Sequence, residues 1–160
     1  MRIVCQTGAE VEVQGTSLEN CCLDGMNLHR AILEGVSLRH SSMQNADLRG
    51  ALLTSADASE ANFNGALLMT ASFLNATLRN SSFVKARPIA AKFDNADLRG
   101  ANFSEADIGM ASFREARLQG AIMLGVRLDQ ASFTGATFDQ TTQWPAGFDP
   151  FAAGATKSEA

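Results

Sequence analysis

The residues of this 160-residue chain best suited to chemistry are three cysteines, two histidines and a set of regularly spaced aspartates. Thiolates and imidazoles at close spacing would bind a metal or make a nucleophile–base pair, and paired carboxylates would do acid–base work. None of these arrangements is present in the linear sequence. Cys21 and Cys22 are adjacent, so on a strand they would point to opposite sides, and with Cys5 they make an odd number that builds no disulfide framework. They read as free thiols in a reducing compartment, which places the protein in the cytoplasm. His29 and His40 stand eleven residues apart, with no cysteine or carboxylate at ligand spacing, and read as solvated surface residues. There is no Ser–His–Asp order, CxxC pair or P-loop, and no GxGxxG following a strand. Asp47, Asp57, Asp97 and Asp107 share one position of a repeat, so they read as outward-facing repeat chemistry rather than catalytic acids. The expectation is a protein that is not an enzyme, with no catalytic, cofactor-binding or metal residues and no cofactor.

Bulk properties narrow the class further. Hydrophobic residues make up 46% and charged residues 19%, as in a folded domain with a core. The formal charge of −4 opposes direct nucleic-acid binding, which needs clustered Lys and Arg. No apolar run is long enough to span a membrane, and "MRIVCQTGAEVEV" shows no signal-peptide h-region.

The strongest signal is a period of five. In blocks counted from Thr16, the third position is Leu or Phe in 20 of 25 blocks through Phe138, and the first is Ala in 18. Five residues advance a helix by about 500° and would smear the apolar position around it. On a flat strand an odd period would alternate faces. The chain must therefore bend once per block, with the first and third residues pointing inward and the fourth and fifth making the corner. Gly or Asn occupies the fifth position in 13 blocks, as positive φ demands. Phe63, Phe73, Phe83, Phe93, Phe103 and Phe113 recur every ten residues, which favours four blocks per coil. Phe63, Phe83 and Phe103 then stack on one wall, and Phe73, Phe93, Phe113 and Phe133 on the opposite wall. With Leu48 and Leu98 these form the core.

The stretch "NADLRGANFSEADIGMASF" resembles the A-(D/N)-L-X-X signature of the pentapeptide-repeat family, and the resemblance covers residues 16–140. It implies an all-β fold: a right-handed quadrilateral β-helix, a solenoid of about six coils. Residues 1–15 are expected to supply an N-terminal β cap, with Val11 and Val13 keeping the repeat phase. Residues 141–160 are expected to supply a C-terminal cap through Trp144 and Phe148, then a frayed tail. Two blocks depart from consensus: Ala58 leaves a thin spot, and Pro88, lacking an N–H, predicts a bulge near Arg87–Ala90.

Some bacterial members of that family mimic DNA and bind DNA gyrase or topoisomerase IV, conferring quinolone resistance. Mimicry needs a continuous negative wall, yet blocks 16–140 hold 13 acids and 11 bases, and the four walls sum to −1, −1, +1 and −1. The preferred expectation is a rigid interaction or structural scaffold, monomeric or a weak homodimer, with an unknown protein partner. Its surface would include Leu67, Met69, Arg87 and Ile89, next to the proline. Ile32 and Leu52 form a second outward apolar pair. The gyrase-directed mimic is the alternative.

Overall fold

The computed structural model describes residues 1–159. The five-residue period appears as a bend in every block from 16–20 to 116–120 and again at 131–135. The fifth residue takes a left-handed φ, near +65° at Gly50, +57° at Asn75 and +58° at Thr70. Glycine and asparagine tolerate that region; a β-branched threonine is an unusual occupant, held there by its surroundings. The amide that opens the next block closes the turn, as Ala101 N–H donates to the Leu98 carbonyl at 3.0 Å.

The remaining amides join one coil to the next. Ser72 N–H donates to Ala51 O at 2.9 Å, Leu53 N–H to Ser72 O at 2.7 Å, and Gly50 N–H to Met69 O at 2.9 Å. Parallel bridges therefore connect residues twenty apart in four columns, which contain Asn62, Leu67, Ser72 and Thr77. The molecule is strand-dominated, and its one helical segment among the described residues is a 3-10 turn, Leu128–Gln130.

Inside, the third-position side chains are sealed from solvent, including Leu48, Leu98 and every phenylalanine from Phe63 to Phe133. Phe63, Phe83 and Phe103 stack face to face with centroids 4.8 and 4.6 Å apart. Phe73, Phe93, Phe113 and Phe133 stack at 4.9, 5.0 and 5.1 Å. The two stacks meet edge-on at 5.5–5.9 Å, an arrangement the ring quadrupole favours. First-position Ala keeps the interior narrow. Where Ser41 and Ser81 replace it, each buried hydroxyl donates to the carbonyl three residues back, at 2.6 and 2.7 Å.

Four details differ from the sequence reading. No bulge forms at Arg87–Ala90: Ala91 N–H still donates to Pro88 O at 3.1 Å, and Asp107 N–H to Ala86 O at 3.0 Å. Proline deletes one inter-coil hydrogen bond, and the other bonds hold the backbone in register. The irregularity lies instead at 124–130, where Val126 pairs with Asp107, nineteen residues away. There half-buried Gly125 lies tight against the preceding coil, where a Cβ would stand 2.6 Å from Ala106 O. The 3-10 turn then restores the lost residue, and Ser112 pairs with Ser132 as usual. At the start, Val11 belongs to an antiparallel hairpin, β1 (Arg2–Val4) with β2 (Glu10–Glu12), rather than to a repeat block. Val4 O accepts Ile32 N–H at 2.8 Å, so the hairpin covers the first coil. Finally, the tail is not frayed through Ser158: β4 (Thr156–Lys157) pairs in parallel with β3 (Thr137–Phe138), and Ala155 is buried.

The corners generate a stability prediction. A Cβ on Gly65 would collide with the Asn45 side-chain oxygen, whereas one on Gly25 would meet open space at a similar φ. Gly25→Ala should cost about 1–2 kcal/mol for the backbone alone, and Gly65→Ala should cost more. Adding Asn45→Ala to Gly65→Ala should recover part of that difference in urea denaturation.

Candidate interaction surface

Second and fourth positions face outward, and the chemistry of the surface is set by what stacks on what. A second-position Asp or Asn accepts the amide two residues on, forming an Asx turn: Asn62 Oδ1 accepts Asn64 N–H at 2.9 Å and Asn102 Oδ1 accepts Ser104 N–H at 2.9 Å. A fourth-position Asp or Asn instead reaches the following coil. Asp24 Oδ1 accepts Ser42 Oγ–H at 2.6 Å and Gln44 N–H at 2.8 Å, and Asn64 Oδ1 does the same for Ser82 and Val84 at 2.6 and 2.9 Å. The outward aspartates thus satisfy corner amides.

These bonds favour the ionised carboxylates. The Ser42 hydroxyl holds Asp24 below the ordinary aspartate value, the Arg49 guanidinium does so for Asp47, and the Thr141 hydroxyl for Asp139. At Asp57, burial pulls the other way but is outweighed by the Ser59 hydroxyl and amide together with Arg39.

The column of Asn27, Asp47, Leu67, Arg87 and Asp107 holds the nominated surface. Leu67 is bridged to Asp47 on one side and Arg87 on the other. Met69 and Ile89 stand one coil apart, linked by the Thr70 amide donating to Ile89 O at 3.0 Å. All three apolar side chains are half-buried, and Arg87 is exposed. Ion pairs bound the strip: Arg49–Asp47 at 2.6 Å on one side and Arg127–Asp107 at 2.6 Å on the other. Arg87 makes no ion pair among the described residues.

More exposed apolar residues went unnominated. Val126, 51% exposed, pairs into this column, and Met110, 68% exposed, stands at the corner that follows Asp107, with Leu124 exposed just before Val126. By its phase Val126 is a first-position residue that should point inward, and the shifted pairing with Asp107 turns it out. Ile32 and Leu52 do bridge each other, with Ile32 exposed. Trp144 and Phe148 sit at the end of one phenylalanine stack, their rings 5.3 and 5.6 Å from Phe133.

His40 Nδ1 lies 3.3 Å from Glu60, a partner twenty residues away. His29 and Cys5 line one surface cleft with Thr7 and Asn27. Cys5 is buried, Cys21 half-buried and Cys22 exposed, and none is in a disulfide. Among the described residues no group of three His, Cys, Asp or Glu is placed to hold a metal, and no helix is long and apolar enough to cross a membrane.

The model for pentapeptide repeats matches residues 14–50, 31–68, 71–109 and 111–142, with eight copies of the unit. No curated protein matches the chain. Among solved structures, a pentapeptide repeat protein, Rfr23, from the cyanobacterium Cyanothece 51142 is 28% identical, with a TM-score of 0.58 over 61% of this chain. The match spans 66% of that structure, just under two thirds of its length. HetL from Nostoc sp. strain PCC 7120, a pentapeptide repeat protein involved in heterocyst differentiation regulation, is 22% identical over 85% of this chain and 80% of its own, with a TM-score of 0.49. QnrB1, a plasmid-mediated fluoroquinolone resistance protein, is 16% identical over 92% and 86%, with a TM-score of 0.42.

The lowered aspartates predict an acid limb. Their folded-state values lie below those of the unfolded chain, so as pH falls the unfolded chain takes up protons first. Their stabilisation is complete above about pH 5 and is lost through pH 4 and below. Asp24→Asn keeps the acceptor that Asn64 supplies elsewhere, so urea midpoints measured from pH 7 to pH 3 should fall less steeply in this variant.

Proposed function

This chain belongs to the pentapeptide-repeat family, and from that premise we propose that it is a non-enzymatic, rigid protein-interaction scaffold. The architecture we infer is a right-handed, four-sided β-helix of about six coils, supported by the four columns of bridges and their twenty-residue spacing. The molecule works as a monomer or weak homodimer, and its free thiols favour the cytoplasm.

The observation carrying this reading is Arg87, a cation without a carboxylate set among Leu67, Met69 and Ile89, with Met110 and Val126 extending the apolar strip. Apolar area supplies affinity, and an unpaired guanidinium selects a partner carboxylate and fixes the docking orientation. The filled interior leaves the outer walls as the place for recognition. A topoisomerase-directed DNA mimic is a poorer fit, because arginines interrupt the walls on which continuous negative charge is needed.

A photo-crosslinking residue placed at Met69 or Ile89 in the native cell should capture one dominant protein, while the same residue at Lys92 should not. Leu67→Asp and Arg87→Glu should each reduce that capture about tenfold or more, with unchanged thermal unfolding. Equal capture from all three positions would overturn the reading. Inhibition of gyrase supercoiling at low micromolar protein, insensitive to Leu67→Asp, would establish the mimic instead.

A further inference from the structure

A second surface, two columns away from Leu67, gathers arginines rather than apolar groups. In the ladder Thr77–Asp97–Arg117–Thr137, Asp97 is stacked between neighbouring coils. Its Oδ2 accepts Arg79 Nε–H at 2.6 Å and Arg99 Nη2–H at 2.7 Å, and Arg117 Nη1 stands 3.9 Å away. Its Oδ1 accepts Arg99 Nε–H at 2.8 Å and the Arg99 amide at 3.4 Å. One carboxylate, 15% exposed, is thus shared by three guanidiniums, of which Arg79 and Arg117 are about half exposed, at 51% and 52%.

The charges do not balance there: three cations against one anion leave a local surplus of two. Asp97 already accepts four hydrogen bonds and holds Arg117 only at 3.9 Å, and the side chains of Arg79 and Arg117 are about half exposed. Like charges held together cost free energy unless another anion enters. The side chains are also partly preset: Asp97 holds the Arg99 plane by two bonds and anchors Arg79 by one, which reduces the ordering cost when a ligand arrives.

We propose that this surface binds an acidic peptide segment of a protein partner, with two carboxylates bridging Arg79, Arg99 and Arg117. Neighbouring coils are roughly 4.8 Å apart, so the cluster spans about 10 Å. Alternate residues of an extended peptide are about 6.6–7 Å apart on one side, which places two acids over the three guanidiniums. A nucleic-acid duplex does not fit. It needs cations along a track, whereas Asp57 and Glu60 lie on one side of this cluster and Asp139 on the other. The surface is independent of the Leu67 strip, so either can fail without the other.

The test uses the full chain and a fluorescein-labelled hexaglutamate peptide, read by anisotropy at low ionic strength. Wild type should bind saturably, and Arg79→Gln/Arg117→Gln should weaken binding about tenfold or more. Arg49→Gln, whose arginine is paired with Asp47 elsewhere, should not change it. If the double variant fails to fold, the side-chain Nε–H NMR signals of Arg79, Arg99 and Arg117 in wild type serve instead, and these three should shift selectively as peptide is added. Absence of saturable binding, equal binding by the double variant, or shifts spread over all arginines would overturn the proposal. So would displacement of the peptide by a DNA duplex at lower charge concentration than unlabelled hexaglutamate.

Discussion

One constraint governs this molecule: in nearly every block the fifth residue takes a left-handed φ, and in most of them its amide still reaches a carbonyl on the next coil. Gly50 does both, with φ +65° and an amide donated to Met69 O at 2.9 Å. So do Thr70 and Ala90, which lack glycine's conformational freedom. The inter-coil bonds and the closed interior hold them in a region they would otherwise avoid. The inward Ala, the inward Leu or Phe and the outward Asx residue all follow from that bend: two positions fill the interior, and a third supplies an acceptor to an amide the turn would leave unpaired.

The polar layer complements the apolar one in this division of labour. The phenylalanine stacks give adhesion along the axis with no preference for one surface pattern. The aspartates and asparagines satisfy backbone donors near the corners, and their regular spacing follows from that task. Residues with neither task, such as Arg87, Met110, Arg79 and Arg117, are left exposed, and on our proposals they are the ones that meet a partner.

Much of the architecture was legible because burial repeats at fixed intervals. The ten-residue recurrence of phenylalanine pointed to the stacks, and the run of Ala and Leu to the inward positions. The surface was harder to read, because neighbours lie eighteen or twenty residues apart: His40 with Glu60, and Arg79 with Asp97, are remote in the chain. Pro88 misled because a missing N–H removes one bond among many and leaves the backbone where it was. Val126 misled in the other direction: Gly125 looks like any other corner glycine and the repeat phase resumes on both sides, so the shift leaves no mark in the sequence. The tail reads as polar and small, yet Thr156 finds a strand edge to join, which composition does not reveal.

The shifted segment at 124–130 has a bearing on how the chain finds its alignment. A coil displaced by twenty residues would still set Phe83 where Phe63 belongs and would still form parallel bridges, so the regular part of the molecule discriminates weakly against slipped pairings. Val126 pairing with Asp107, the 3-10 turn at Leu128–Gln130 and the Trp144–Phe148 pair occur once each among the described residues. A slipped coil cannot satisfy them. The break in periodicity works as an index mark, giving an otherwise self-similar chain a single correct alignment.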